Sequence, residues 1–178
     1  MLGRNLIQAA AGNAAEPEIE WNMANASFDG TPKNFLALLN VNLHGIAFKT
    51  DGTKMFLAND GSNDDIDEYS LSTAWDVTTA VFTQSKNIGS EETNVRAVTF
   101  KSDGTKMYIV GTGSDAVKEY TLSTAWDVST ASYSQDFSVS AKDTAPTGVF
   151  FRNDGGADDG KQMYVAGNTN DPLLLFDM

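Results

Sequence analysis

Apolar residues in this chain come in short runs, and none of these runs follows the spacing of an amphipathic helix. One kind of run starts with small or β-branched residues and ends in an aromatic residue followed by a base; its copies are HGIAFK, RAVTFK and TGVFFR. A second kind is apolar without alternation, as expected of a strand buried on both faces; its copies are KMFLA, KMYIV and QMYVA. We interpret these runs as strands a and b of a repeated unit.

A tight turn separates strand a from strand b in each unit. Asp-Gly pairs at Asp51, Asp103 and Asp159 supply the positive φ that such a hairpin needs. A loop rich in Gly, Asn and Asp then leads to strand c, which is IDEYSL, VKEYTL or LLLFDM. Strand d, AVFTQS or ASYSQD, is more polar, which favours an outer edge facing water. Each unit is therefore predicted to contain four short strands, with strand a innermost.

Tryptophans mark the repeat. Trp21, Trp75 and Trp126 are 54 and 51 residues apart, and the heptapeptide LSTAWDV occurs at 71–77 and again at 122–128. Each Trp is followed seven residues later by an aromatic residue: Phe28, Phe82 or Tyr133. A further aromatic residue ends strand a of each unit: Phe48, Phe100 or Phe151. We divide the chain into an N-terminal docking arm, 1–20, and a domain, 21–178, with repeats 21–74, 75–125 and 126–178.

Four-stranded antiparallel units of this length, repeating without helices, predict an all-β fold of the β-propeller type, with three blades in the chain. The strand order is d, then abcd twice, then abc, so the segment from Trp21 to about Asn34 is the strand that would complete the third blade. Three blades are fewer than the roughly four to eight that close a ring. We expect closure by oligomerisation, with six blades in a two-fold homodimer. The alternatives are a three-sheet prism within one chain or a higher assembly.

The segment FKSDGTKMYIV resembles the Phe-x-x-Asp-Gly-x-x-(Leu/Met)-Tyr-Val signature of the propellers that include the lactonase-like and surface-layer YVTN repeats. The longer pattern ending in EYTLSTAWDVSTASY is similar to tandem repeats of marine phage and bacterial surface proteins, over residues 21–178. The opening GRNLIQAAAGNA is similar to the N-terminal arms of marine phage virion proteins, particularly tail-associated ones. These resemblances imply a virion or extracellular location.

Composition narrows the set of partners. The formal net charge of −12 would repel phosphate backbones and anionic membrane surfaces, so we expect no nucleic-acid partner. The absence of cysteine excludes disulfides, zinc thiolates and a thiol nucleophile. No apolar run approaches the roughly 20 residues that span a bilayer, so we expect no membrane insertion. The Ala-rich start is too short and interrupted for a convincing secretory signal, which favours the docking arm.

Two groups of residues are candidates for the functional surface. His44, Arg96 and Thr147 occupy the same position at the start of strand a, where a propeller opens towards its axis. A lone His without a Ser or Cys partner is poor grounds for catalysis, and a solvated loop residue is the plainer interpretation. The tryptophans offer an aromatic platform for sugars, beside Asp76 and Asp127 or Asn22, but a recurring packing role between blades is favoured. Phe48, Phe100 and Phe151 are assigned to the core.

Acidic loops raise the question of calcium. Asp60, Asp64, Asp65 and Asp67 lie in one Gly-containing loop region, and Asp154, Asp158 and Asp159 lie in another. Carboxylates crowded in such loops suit Ca²⁺, although neither stretch has the Glu that ends an EF-hand loop. Solvated turn residues remain the simpler interpretation, and no other cofactor is predicted.

Three function classes follow. The leading hypothesis is a non-enzymatic structural or adhesive module of a phage tail or fibre, which contacts virion proteins through residues 1–20 and the N-terminal strand and touches a host-surface glycan or protein. The second is a carbohydrate-binding propeller lectin. The third is a lactonase-like hydrolase, which fold analogy alone favours at this stage.

Overall fold

Eleven β-strands and two short 3-10 helices form the regular structure of the residues that the computed structural model describes, which are 42–61, 63–153, 160–169 and 173–178. The strands are β1 Leu43–Phe48, β2 Lys54–Asp60, β3 Asp64–Leu71, β4 Ala80–Asn87, β5 Val95–Phe100, β6 Lys106–Gly111, β7 Ala116–Leu122, β8 Ala131–Ser138, β9 Pro146–Phe151, β10 Gln162–Gly167 and β11 Leu173–Asp177. The 3-10 helices are Val77–Thr79 and Val128–Thr130. All described residues belong to one compact unit of the chain, Pro32–Met178.

The strands form three antiparallel sheets in chain order. Sheet I is β1-β2-β3-β4, sheet II is β5-β6-β7-β8, and sheet III has β9-β10-β11 among the described residues. The predicted fold class, an all-β array of antiparallel propeller blades, is confirmed. Strand a is innermost, since β1 contacts β5 and β5 contacts β9. The predicted strand from Trp21 to Asn34, and the arm 1–20, lie outside the described residues.

The a-b turn and the c-d linker of one sheet fit each other. Gly52 and Gly104 have φ of 72° and 73°, and Trp75 and Trp126 also lie in the left-handed region, at 66° and 63°. The backbone N–H of Trp126 donates to the carbonyl of Gly104 at 3.0 Å, and a Cβ on Gly104 would lie 2.3 Å from the indole ring. Glycine is therefore required at this turn for two reasons. The backbone has a positive φ, and a side chain would collide with the indole ring.

The linker continues into a 3-10 turn that an aspartate caps. Asp76 Oδ1 accepts from the Thr78 backbone N–H at 2.9 Å, and Asp127 Oδ1 accepts from Ser129 N–H at 3.0 Å. This is the Asx-type turn that the sequence predicts, and it sends the chain from strand c into strand d.

The core lies between the sheets. Phe56, Ala58 and Ile66 of sheet I pack against side chains of sheet II that include Val98, Ile109 and Trp126. A second cluster, which includes Val110, Val117, Met163 and Val165, joins sheet II to sheet III. Side chains of strand b contribute to both clusters, because alternate residues of a strand face opposite neighbouring sheets. This explains why strand b is apolar at successive positions.

No helix in the described part of the chain is long and apolar enough to cross a bilayer.

Candidate functional site

A β-bulge distorts the start of the inner strand in all three sheets. In β1 the pairing with β2 passes from Leu43 to Gly45, which leaves His44 as the extra residue. The corresponding extra residues are Arg96 in β5 and Thr147 in β9. A bulge turns the side chain of its extra residue away from the regular alternation of the strand. The three candidates from the sequence therefore share the same backbone feature, a β-bulge, at the same end of the inner strands.

The inner strands approach each other closely beside these bulges. A Cβ added to Gly45 would lie 2.8 Å from Ala97 Cα and 2.9 Å from the Arg96 carbonyl oxygen. The backbone of β1 therefore touches that of β5, which only a glycine at this position permits. The close approach brings the side chain of Arg96, from sheet II, next to that of His44, from sheet I.

Asp60, at the end of β2, joins these two side chains. Its Oδ2 lies 2.9 Å from His44 Nε2 and 2.8 Å from Arg96 Nη1. Arg96 Nη1 also contacts both ring nitrogens of His44, at 3.1 Å from Nδ1. The Asp60 side chain is only 7 % exposed, whereas those of His44 and Arg96 are each 25 % exposed. The buried carboxylate of Asp60 thus holds an imidazole and a guanidinium at the boundary with solvent.

Neighbouring amides fix this arrangement. Asn42 Nδ2 donates to Asp60 Oδ1 at 2.7 Å, so both carboxylate oxygens of Asp60 are used. Arg96 Nη2 donates to Asn94 Oδ1 at the longer distance of 3.3 Å. Asn42 and Asn94 are equivalent positions of the repeat, immediately before strand a. The second nitrogen of Arg96 is the less tightly held of the two and is the group best placed to turn towards a ligand.

The acidic side chains behind the site are poorly solvated. Burial raises the pKa of Asp67 to about 6, against the bond that Asn59 Nδ2 donates to its carboxylate at 3.2 Å. Burial, followed by the charges of Asp60 and Glu92, raises the pKa of Asp64. The raised pKa values mean that these two carboxyl groups hold their protons more readily than free aspartates do.

Thr147 is not joined to the other two candidates by a contact in the described residues; its hydroxyl donates to the Ala166 carbonyl oxygen at 3.5 Å. Asp60, by contrast, was singled out from the sequence only as a calcium candidate, and the structure gives it an ion pair instead. The signal that could have identified it is its position at the end of strand b, next to the start of strand a.

The acidic side chains in and near the b-c loop of sheet I are hydrogen-bonded to different amide side chains and do not converge on one point. Asp65 accepts from Asn87 Nδ2 at 3.1 Å, and Asp67 is bonded to Asn59. Within the described ranges no three His or acidic side chains are grouped so that they could hold a metal ion. Asp154, Asp158 and Asp159 lie outside those ranges, and the calcium hypothesis stays a prediction.

The tryptophans differ in their surroundings. Trp126 packs between sheets I and II, with its ring centroid 6.1 Å from that of Phe56 and 5.3 Å from that of Phe100. Trp75 lies 5.3 Å from Phe48 of its own sheet and is largely exposed. Trp21 lies outside the described residues. Phe151 packs 4.2 Å from Tyr108, between sheets II and III.

Among the solved structures similar to this chain are three named as lactonases. A candidate 6-phosphogluconolactonase of Bacteroides uniformis matches with a TM-score of 0.58 and 16 % identity, over 87 % of this chain and 43 % of its own. One of Bacteroides fragilis has a TM-score of 0.56 and 16 % identity, over 78 % and 38 %. The periplasmic gluconolactonase of Pseudomonas aeruginosa has a TM-score of 0.50 and 16 % identity, over 78 % and 37 %. The chain thus spans about two fifths of the length of these proteins.

No protein-family model matches the chain, and no curated protein matches it. At 16 % identity the structural likeness establishes the fold, which is that of β-propeller blades.

The leading functional hypothesis from the sequence is corrected by these comparisons. We predicted a non-enzymatic structural or adhesive phage module, but the neighbours are named as lactonases and give no support to a relationship with phage tails. The prediction that the chain is not an enzyme is wrong on the same grounds. The misleading features were the repeat motifs, because they encode the turns and packing of a blade and carry no information about its chemistry.

Proposed function

We propose that this chain forms part of a hydrolase that opens the lactone of a sugar acid, within the lactonase-like group of propellers. The observation that carries the proposal is the convergence of His44, Arg96 and Asp60 at the bulged ends of the inner strands. The names of the similar structures agree with this reaction class. The activity is a property of the complete propeller, of which this chain supplies three blades.

His44 is assigned the role of general base. Its Nε2–H donates to Asp60, so Nδ1 carries the lone pair, which accepts a proton once Arg96 Nη1, 3.1 Å away, turns from the ring to the bound lactone. The tautomer follows from the contact with the carboxylate. Asp60 is a positioning residue, since it orients the ring and balances the positive charge that forms when His44 is protonated.

Arg96 is assigned the role of electrostatic stabiliser. Its guanidinium lies beside His44 Nδ1, so a lactone carbonyl oxygen placed there would receive an N–H bond as it gains negative charge. The same cation attracts the phosphate of a phosphorylated lactone, which offsets the repulsion of that anion by the acidic chain.

Hydrolysis of the lactone takes two steps, addition of water and collapse of the intermediate. His44 Nδ1 removes a proton from water while the water oxygen bonds to the lactone carbonyl carbon. The carbonyl oxygen becomes an oxyanion next to Arg96. When the intermediate collapses, the ring C–O bond breaks, and the imidazolium returns its proton to the leaving alkoxide oxygen. The product is an open-chain hydroxy acid.

The test is hydrolysis of δ-gluconolactone and of its 6-phosphate, each corrected for the spontaneous reaction. We expect His44→Gln to lower kcat by about 100-fold or more, as loss of a general base does. Arg96→Met should also lower kcat/KM, with the larger effect on the phosphorylated lactone if the guanidinium binds the phosphate. Lys101→Met is the matched control, because it removes one cation at a solvent-exposed turn.

Equal rates for His44→Gln and the unaltered chain would exclude the assigned base. Absence of hydrolysis above the spontaneous rate for both lactones, by the folded chain assembled into a complete propeller, would exclude the reaction class.

A further inference from the structure

The contact between sheets I and II contains a groove that a segment of the chain fills, and we call it groove I/II. The segment is the c-d linker of sheet II, residues 126–128. The indole of Trp126 lies 6.1 Å from the ring of Phe56 in sheet I and sits directly over Gly104 of its own a-b turn. Trp126 is 8 % exposed, and Val128 is fully buried. The groove thus takes an indole together with the backbone that follows it.

Three polar side chains of sheet I hold the linker in groove I/II. Lys54 Nζ donates to the carbonyl oxygen of the linker tryptophan at 2.8 Å. Gln84 Nε2 donates to Asp127 Oδ1 at 2.6 Å. Glu68 Oε2 accepts from the Val128 backbone N–H at 3.1 Å. Each linker residue therefore has a polar contact of its own, and the groove recognises an aromatic residue, an aspartate and an aliphatic residue in that order.

The contact between sheets II and III repeats this groove, and we call the second one groove II/III. Tyr108 and Phe151 stack in it with ring centroids 4.2 Å apart, as Phe56 and Phe100 do at 4.3 Å in groove I/II. Two adjoining cavities, of about 390 and 420 Å³, share this aromatic pair as part of their walls. These volumes fall within the roughly 300 to 1,000 Å³ of sites that bind ligands.

Groove II/III also repeats the polar side chains. Lys106, Glu119 and Gln135 occupy the positions of the three residues that hold the linker in groove I/II. Lys106 Nζ lies 2.6 Å from Glu119 Oε1, which is the distance in the equivalent ion pair of sheet I. The bond that Gln84 donates to an aspartate in groove I/II has no counterpart at Gln135 among the described residues. The means of holding a linker are therefore present without the linker.

The a-b turn of sheet III is also open to an indole. Gly104 and Gly160 have nearly the same φ, 73° and 75°. A Cβ on Gly104 would lie 2.3 Å from the ring of Trp126, whereas no described residue lies within 4 Å of a Cβ on Gly160. The two turns share one backbone conformation, and in the described part of the chain only the first carries an aromatic ring.

Strand β11 has an open edge beside groove II/III. Strands c and d pair over seven residues in sheets I and II, whereas β11 pairs only with β10 in the described part of the chain. Phe176 is half-buried, although Tyr120 at the same position of sheet II is 1 % exposed. Leu175 and Met178 line the groove and are 54 % and 64 % exposed. An unpaired strand edge next to an apolar groove is suited to the addition of a strand.

We propose that groove II/III and the edge of β11 bind an extended segment of another polypeptide, with the pattern aromatic-Asp-aliphatic followed by a β-strand. Its aromatic ring lies over Gly160, its aspartate accepts from Gln135, and the next backbone N–H donates to Glu119. The residues after this turn pair antiparallel with β11, as β8 pairs with β7 in sheet II. This inference goes beyond the proposed reaction and does not depend on it.

A folded second copy does not offer such a segment among its described residues. Both linkers that have the pattern are engaged in their own sheets, because the N–H groups of Trp75 and Trp126 each donate to a glycine carbonyl of the a-b turn at 3.0 Å. Strands β4 and β8, which follow these linkers, are paired with strand c of the same sheet. The occupant is therefore an unpaired segment of a different chain.

A synthetic peptide tests the proposal on the full chain. Its sequence, LSTAWDVSTASYSQDFS, copies residues 122–138, which contain the linker of groove I/II and strand β8. Fluorescence anisotropy of the labelled peptide should show saturable binding of one peptide per chain. A peptide with alanine in place of tryptophan should bind about thirtyfold more weakly or worse, as loss of a buried aromatic anchor predicts.

Substitution of a glutamine in each groove tests where the peptide binds. Gln135→Leu should weaken binding about tenfold, since a hydrogen bond to a charged group is lost. Gln84→Leu is the matched control, because it removes the equivalent amide from the groove that is already filled, and the affinity for the peptide should stay unchanged. Circular dichroism confirms that both variants are folded.

Gly160→Ala tests the position of the indole. The new methyl group should collide with the tryptophan of the first peptide, as a Cβ on Gly104 would collide with Trp126. It has no such neighbour in the peptide that carries alanine. The ratio of the affinities for the two peptides should therefore fall, and an unchanged ratio would contradict the proposal.

Hydrogen exchange tests the pairing with β11. Amide protons of Leu173–Asp177 that point to the open edge should exchange more slowly with the peptide bound, because the added strand accepts their hydrogen bonds. Exchange that the peptide does not slow, or binding that Gln135→Leu leaves unchanged, would overturn the proposal.

Sedimentation velocity without the peptide identifies other occupants. A mass of twice 19.1 kDa together with no binding of the peptide would assign the groove to a second copy and overturn the proposal. No binding by a folded monomer would overturn it as well, since the groove would then be closed to a segment of another chain. Neither result bears on the hydrolysis of lactones, which is measured separately.

Discussion

At the scale of single residues, two aspartates show how the environment of a carboxyl group determines its pKa. Asp67 lies in β3, where burial raises its pKa to about 6. Asp103 begins the a-b turn of sheet II, where Lys101 and Thr105 donate to it and lower its pKa to about 2. The two groups therefore contribute to stability in opposite directions as the pH changes.

The Asp67→Asn substitution should reveal this as a pH-dependent difference in the free energy of unfolding. Because the folded state holds the Asp67 proton more tightly than the unfolded state, the unaltered chain loses stability as the pH rises from about 4 to 6. The amide of the variant does not titrate, so the stability of the variant relative to the unaltered chain should rise by about 3 kcal/mol across this range. This difference should be constant above about pH 7. Urea unfolding at several pH values measures it.

Asp103→Asn is the control with the opposite sign. Here the unaltered chain gains stability as the pH rises from about 2 to 4. The free energy of unfolding of the variant, relative to that of the unaltered chain, should therefore fall across that range. A parallel pH dependence of the two variants would contradict one of the two pKa assignments, and its sign would show which one.

Residue by residue, the sequence located part of the candidate site. The shared repeat position of His44 and Arg96 was visible in the alignment, and the structure brings their side chains into contact. The ion pair between Asp60 and Arg96 was not predictable, because 36 residues separate them and they belong to different sheets. Only the packing of sheet I on sheet II sets that distance.

At the scale of elements, buried carboxylates hold the loops that join one sheet to the next. Glu92, in the loop between β4 and β5, accepts from the backbone N–H groups of Asn94, Gly113 and Ser114 at 2.9, 2.8 and 3.2 Å. The Ser114 hydroxyl donates to it at 2.6 Å. Asp143 does the same in the next loop, accepting from the N–H groups of Ala145 and Thr169. The starts of β5 and β9, with their bulges, are thereby fixed against the b-c loops of their sheets.

We expect Glu92→Gln to destabilise the chain by about 2 to 3 kcal/mol, since an amide NH₂ would face backbone donors in a buried position. The matched control is its neighbour Glu91→Gln, whose carboxylate contacts only Ser90 and Tyr120 hydroxyls among the described hydrogen bonds, and which should cost less than about 1 kcal/mol. Thermal and urea unfolding measure both. Equal costs for the two variants would show that Glu92 does not hold the loop.

The elements themselves were largely predictable. The strand order within each sheet and the Asp-Gly turns follow from runs of apolar residues and from glycines that must adopt positive φ. The bulges at His44, Arg96 and Thr147 were not predicted, because a bulge depends on the register between two strands and leaves no local signal in either.

At the scale of the whole molecule, the net charge and the exposed apolar surface have opposite effects on the association of two copies. Each copy has a net charge of −12, so two copies repel over distances comparable to the screening length of the solvent. The exposed apolar side chains of sheet III, which are Phe150, Leu173 and Leu175, favour association at short range. The balance between these two effects depends on ionic strength.

The sequence by itself determined the local architecture: three repeats, their strands, and the pairing of a glycine turn with a tryptophan linker. These features depend on residues close together in the chain, where periodicity and backbone conformation leave a readable pattern. The tertiary structure alone decided which side chains meet across sheets, as at Asp60 and Arg96, and which copies of a repeated face remain uncovered, as at Trp75. Identical heptapeptides cannot distinguish a buried tryptophan from an exposed one, because the difference lies in the neighbouring blade.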